Sequence, residues 1–230
     1  RQWNKKIKNY QIFADLRLSD RQSVELFSDM FETSLRYSEG DTTTPDGVHH
    51  IAKTFRSCLS GPKATWFTEN ISPYLIKEEK REYAGALLED TVRSKDFNTW
   101  TKDEVTHYLA TVIEGDGSIQ IKNSKNTKHF KAAIVSKSPQ YLANLVSIAA
   151  SKLNIKSRFT KIKSYQTKNG ITDMYALYIL CSRKDRTNLD FLKNLLKYKV
   201  MTLDRKKEKV QEFVTWVNTQ TEKPILENRV

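Results

Sequence analysis

Two carboxylates stand close together in Glu114-Gly115-Asp116-Gly117, and the apolar spacing from Val105 to Ile113 puts them at the end of a helix. Glycines on either side of Asp116 close that helix and let the chain turn into Ser118–Lys122 (SIQIK), a strictly alternating stretch. An acidic side chain there is a hard oxygen donor presented at a helix-to-strand corner. Other chemistries lack their residues. His49 and His50 are adjacent, and His107 and His129 stand alone, so the histidines form no metal-ligand spacing. Cys58 and Cys181 are too far apart in sequence for a disulfide framework or a cysteine zinc knuckle. GxSxG, HExxH and glycine-rich phosphate loops do not occur.

The charge says what such a carboxylate would face. With 39 Lys+Arg against 27 Asp+Glu, the 230-residue chain carries a formal +12, which favours polyanions, nucleic acid ahead of an anionic membrane surface. Residues 121–168 hold ten lysines and Arg158 with no Asp or Glu, a stretch of one sign long enough to cover a whole surface. The second basic block, Arg205 to Lys209, is diluted by Asp204 and Glu208. No apolar run approaches the roughly 20 residues of a membrane-spanning helix. At 38% hydrophobic and 29% charged, the composition is that of a globular chain of one large or two small domains.

The elements around the corner read as follows. Ser118–Lys122 and a stretch alternating through Phe130, Ala132 and Ile134 form a hairpin about the turn Asn123–Thr127. Ser138-Pro139 opens a helix to Leu153. Ser157–Tyr165 and Met174–Cys181 form a second hairpin about Lys168-Asn169-Gly170, and two helices follow, from Asp185 through Tyr198 and from Asp204 to Val217. Residues 101–220 are thus an α+β domain, a four-stranded antiparallel sheet covered by helices on one face, with 221–230 as a tail. Its open face would carry Gln120, Lys122, Lys131 and, on the third strand, Arg158 or Lys161, a basic surface suited to a groove and its phosphates. Residues 1–100 read as a small helical module: a capping box at Ser19/Gln22 leading to Leu35, a second amphipathic stretch through Val48, Ile51, Phe55 and Leu59, and a third from Ser72-Pro73 to Val92, with Asp41–Gly47 as a loop.

The segment Leu109–Gly117 (LATVIEGDG) followed by SIQIK resembles the signature of LAGLIDADG homing endonucleases, and residues 102–218 are similar to that family's αββαββα half-domain in element order. The resemblance implies a nuclease that cleaves double-stranded DNA site-specifically with Mg²⁺. Asp116 would be the metal ligand and a catalytic residue, Glu114 would have a structural or capping role, and Lys206 (with Lys207 next) would be the assisting lysine. Ser136, Lys137 and Gln140 are the candidates for a water-orienting side chain. Thr111 departs from the family's pattern, which has a small residue there, four positions before Gly115, to let two such helices pack closely. The chain holds one motif, and residues 1–100 show neither motif nor strands, so activity would require a homodimer. The alternative within the resemblance is a catalytically retired domain that binds RNA, as an intron maturase or a subunit of an organellar ribosome. Family membership would suggest an organelle such as the mitochondrion.

Overall fold

The structure, a computed structural model, describes residues 11–17, 21–43, 49–88, 93, 95–124, 127–167 and 170–221. The expected cap at Ser19, residues 44–48 of the loop, the turn Lys168-Asn169 and the tail beyond 221 lie outside them. The chain divides into two compact units, Arg1–Lys95 and Asp96–Val230.

Unit 2 has the architecture read from its sequence. Helix α4 (Lys102–Gly115) starts at a capping box: Thr101 Oγ1 accepts from Glu104 N at 3.1 Å, and Glu104 Oε2 accepts from Thr101 N at 2.7 Å. Such a cap contributes about 1 kcal/mol. The helix passes into strand β4 (Gly117–Ser124), which pairs with β5 (Thr127–Ser136). Helix α5 (Pro139–Leu153) is capped by Ser138 and closed by Asn154 in the left-handed conformation at φ 53°. Strands β6 (Ser157–Thr167) and β7 (Gly170–Ser182) complete a sheet of order β4-β5-β7-β6, antiparallel throughout. Helices α6 (Leu189–Lys197) and α7 (Asp204–Thr221) close the unit.

Alternation divides the sheet into a buried and an open face. Ile119, Phe130, Ala132, Ile134, Leu177 and Ile179 are buried under α4, α5 and α7. Phe213 of α7 sets its ring 5.4 Å from that of Phe130. Each fully buried Leu, Ile or Phe here contributes about 1.5–3 kcal/mol, which makes this layer the main source of the unit's stability.

Unit 1 differs from the helical module expected over residues 1–100. Three strands, β1 (Gln11–Arg17), β2 (Arg36–Thr43) and β3 (His49–Ser60), form an antiparallel sheet of order β1-β3-β2. Helices α1 (Arg21–Met30), α2 (Gly61–Ile71) and α3 (Glu78–Leu88) accompany it. The stretch taken for a second amphipathic helix is β3, whose Ser57 and Leu59 are buried while Lys53 and Arg56 are exposed. The order β1-α1-β2-β3-α2-α3 repeats β5-α5-β6-β7-α6-α7, and β1-β3-β2 follows the path of β5-β7-β6. Unit 1 therefore has the topology of unit 2 without counterparts of α4 and β4 among the described residues. The expectation that these residues lack strands is corrected accordingly.

Candidate functional site

The corner between α4 and β4 is built by groups that hold it still and one that faces outward. Asp116 is the C-cap residue of α4, its N–H donating to Val112 O at 3.0 Å, and its side chain is exposed. Gly117 is needed for space rather than for an unusual φ. A Cβ there would stand 2.6 Å from Ile113 O and 3.1 Å from Ala133 O, so helix and sheet meet closely at this residue.

Glu114 turns the other way. Its carboxylate accepts from Thr202 N at 2.5 Å, Leu203 N at 2.7 Å and Thr202 Oγ1 at 3.2 Å, which caps the start of α7. That is the capping role the resemblance gave it. Lys206 comes back from α7 to the corner. It is 3% exposed, and Nζ donates to Ile113 O (2.7 Å), Glu114 O (2.5 Å) and Gly117 O (2.7 Å). An ammonium has three protons to donate, and here three carbonyls take them. Lys206 thus ties the end of α4 to α7. Lys207 beside it is exposed.

Two tyrosines lie next to the corner without having stood out in the sequence. Tyr108 of α4 and Tyr141 of α5 are hydrogen-bonded to each other. Burial raises both phenol pKa values above the usual range, and the nearby negative charge of Asp116 raises them further. Both stay neutral at physiological pH, which keeps a polar but uncharged wall beside the carboxylate. The residues proposed to orient water are engaged locally: Ser136 Oγ accepts from Ser138 N at 3.1 Å, and Gln140 Nε2 donates to Asn144 at 3.0 Å. Lys137 is exposed.

The outward face of α4 is a stripe of Asp103, His107, Thr111 and Gly115, all exposed. A Cβ on Gly115 would meet nothing within 4 Å. Thr111 folds its hydroxyl onto its own helix, Oγ1 donating to His107 O at 2.9 Å, which leaves its methyl as the bulk at that point.

The open face of the sheet brings most of the expected binding residues together. Gln120 stands opposite Lys131, which stands opposite Leu180; Lys122 is opposite His129, and Arg158 is opposite Tyr178. Lys131 lays its ammonium 4.2 Å from the centre of the Tyr178 ring. Lys122, His129, Lys131, Leu180, Ser182 and Asp185 border a hollow of about 310 Å³, with the Cys181 thiol beneath, its pKa pushed up to about 11 chiefly by burial. Lys161 is the exception. It lies three residues from Arg158 in an alternating strand, so it falls out of phase, beside the irregularity between Lys161 and Lys163. Its ammonium pairs with Asp173 at 2.8 Å.

Among the described residues no group of three or more His, Cys, Asp or Glu is placed to enclose a metal ion, and no helix is long and apolar enough to cross a membrane. The donor set still fits Mg²⁺, which keeps several waters and takes one or two carboxylates together with substrate phosphate. Asp116 would be the one such carboxylate at this corner, while Glu114 is engaged with the start of α7.

No protein-family model matches the sequence, and no curated protein does. Solved structures do. The LAGLIDADG meganuclease I-AabMI, bound to uncleaved DNA, matches with a TM-score of 0.53 at 10% identity, covering 92% of this chain and 82% of that one. The homing endonuclease I-WcaI, bound to its DNA recognition sequence, matches with a TM-score of 0.50 at 14% identity, covering 91% and 78%. These shares exceed what unit 2 alone could supply, so the likeness runs through unit 1 as well. The chain has the LAGLIDADG homing-endonuclease fold.

Proposed function

We propose that the chain binds nucleic acid along the open face of the unit 2 sheet and cleaves double-stranded DNA with Mg²⁺ held at Asp116. The observation that carries this reading is the exposed Asp116 carboxylate, fixed at the α4–β4 corner next to a basic sheet face. The DNA-bound state of the two similar structures supports the same partner. Asp116 would hold the ion, which when bound neutralises phosphate charge and lowers the pKa of a coordinated water. Hydrolysis would join a water oxygen to phosphorus and release one ester oxygen as a hydroxyl, with Asp116 as the residue that would hold the ion beside it. Gln120, Lys122, Lys131 and Arg158 position the backbone; Lys206 and Glu114 keep the corner from shifting. A second carboxylate of the same kind would come from the partner subunit of a homodimer.

The test is nicking of a mixed DNA pool with Mg²⁺, by the wild-type chain and by Asp116→Asn. Loss of several kcal/mol of charge stabilisation predicts a fall in rate of about 10²-fold or more, with binding retained. Cleavage that survives the substitution would sink the reading.

A second reading has its own observation. Glu114 and Lys206 are both committed to holding α7 and the helix end, which leaves Asp116 the one carboxylate offered at this corner among the described residues. That is what an RNA-binding domain retired from catalysis would keep. Such a chain would bind pooled RNA, nick nothing, and be indifferent to Asp116→Asn.

Binding has a separate signature. Replacing Lys122, Lys131 or Arg158 by alanine should each lower the slope of log K against log salt on duplex DNA by about 1. Lys161→Ala should lower it by less, because Asp173 already neutralises that ammonium. A filter-binding titration across salt concentrations reads both.

A further inference from the structure

The end of the unit 2 sheet that lies away from the α4–β4 corner holds a hollow with charge of one sign on one side and the other sign opposite. Two neighbouring cross-strand rows of the open face border it: Lys122, His129 and Ser182 in one, Lys131 and Leu180 in the next. Strands lie about 4.8 Å apart and alternate residues about 7 Å, so the rows frame an area of about 10 by 7 Å. At about 310 Å³ the hollow is at the small end of the range for ligand sites, about 300–1,000 Å³. That is room for one base with its phosphate.

The chain leaving β7 holds the hollow open. Asp185 N donates to Ser182 Oγ at 3.0 Å, Ser182 N donates to Asp185 O at 2.8 Å, and the buried Asn188 donates to Leu180 O at 2.8 Å. This loop sets Asp185 at the rim. Its Oδ1 accepts from Thr187 N at 3.1 Å and Thr187 Oγ1 at 2.6 Å, and Oδ2 takes no hydrogen bond among the described residues. The β4–β5 side is cationic. Lys122 and Lys131 form no ion pair among the described residues, whereas Lys128 and Lys161 are paired with Glu212 and Asp173. Leu180, 40% exposed, gives the hollow an apolar wall.

We propose that this hollow seats one unpaired nucleotide of a nucleic acid lying on the open face. Its phosphate would lie against Lys122 and Lys131, and its base against Leu180 with an amino group on Asp185. A fully paired duplex turns phosphates and groove edges toward the sheet and has no single base to lower into the hollow. The rim carboxylate decides between the two forms. It repels phosphate, but it accepts from the exocyclic amine of cytosine, which thymine lacks. Taking a base out of the stack costs least where that base has no partner. The inference rests on the reading that nucleic acid lies along this face, and adds which form of it the outer end selects.

The probes are fluorescein-labelled duplexes of one sequence: fully paired, with one extra deoxycytidine, with one extra thymidine, and with one extra abasic residue. Each is titrated with the full chain by anisotropy, with EDTA present so that nothing is cleaved. The extra deoxycytidine should bind about tenfold tighter than the paired or abasic duplex and about fivefold tighter than the extra thymidine. Leu180→Ser should remove most of the gain while leaving the paired duplex bound as before. Asp185→Asn should cut the preference for deoxycytidine over thymidine to less than about twofold. An equal gain from the abasic residue would trace the preference to duplex flexibility and overturn the proposal. A gain that survives both substitutions would overturn it as well, since the base would then sit elsewhere. So would equal affinity for all the duplexes, which leaves duplex binding standing, whereas binding of none removes that wider reading too. Competition by free deoxycytidine monophosphate at micromolar concentration would also overturn it, because the hollow would then serve a free nucleotide.

Discussion

Lys206→Met is expected to destabilise the chain by about 2–4 kcal/mol, read as a fall in the urea midpoint without nucleic acid or metal. Methionine fills much of the volume but leaves Ile113 O, Glu114 O and Gly117 O without their donor. Orphaning the buried Ile113 O costs about 1–3 kcal/mol and the part-buried Glu114 O and Gly117 O less each, and part of the total is offset because a charged group no longer has to be desolvated. Lys207→Met, on the exposed side of the same turn, should stay within about 0.5 kcal/mol of wild type. The comparison separates two roles. A lysine that acted only on the reaction would leave the urea midpoint unchanged and lower the rate. One that positions Asp116 lowers stability first, and any loss of rate follows from the displaced corner. An unchanged midpoint for Lys206→Met would return the residue to a catalytic role.

The same residue shows where sequence reading stops. Asp116 was legible because everything that places it is local: the helix period, the flanking glycines and the alternating strand fall within twenty residues. The partners of Glu114 and Lys206 lie about ninety residues away, and no local pattern reports them. Unit 2 was legible for the same reason, since its hairpins show clean alternation and its helices carry Thr101, Ser138 and Pro139 at their starts. Unit 1 misled through arithmetic. Ile51, Phe55 and Leu59 are four apart, a spacing that suits one face of a helix and, being even, one face of a strand equally well. Thr54, Phe55 and Cys58, with few good helix formers between them, were the weaker signal that favoured the strand that formed. β2 offered no pattern to read, for Arg36–Thr43 is almost wholly polar, as an edge strand exposed from Arg36 to Asp41 permits. The recurrence of one strand path in both units became visible only once the pairings were known.

The two glycines of the corner should respond in opposite ways to the same change. Gly117→Ala drives a Cβ to within 2.6 Å of Ile113 O and 2.8 Å of Ile113 Cα, both backbone atoms that cannot swing aside. The end of α4 and the neighbouring strand would have to separate, at a cost of about 2–4 kcal/mol, with Asp116 displaced in the process. Gly115→Ala meets no atom within 4 Å and lies inside α4, so it should leave the chain as stable as wild type or firmer by up to about 1 kcal/mol. Urea melts of the two variants decide the structural half of this. The functional half follows from the contrast. If Gly115→Ala folds normally yet loses self-association and Mg²⁺-dependent nicking, the small residue at 115 serves a partner helix that approaches α4 over the exposed stripe through Thr111. If it folds normally and keeps both, no helix packs closely there, and the single carboxylate at Asp116 has to work without a neighbour brought in over that face.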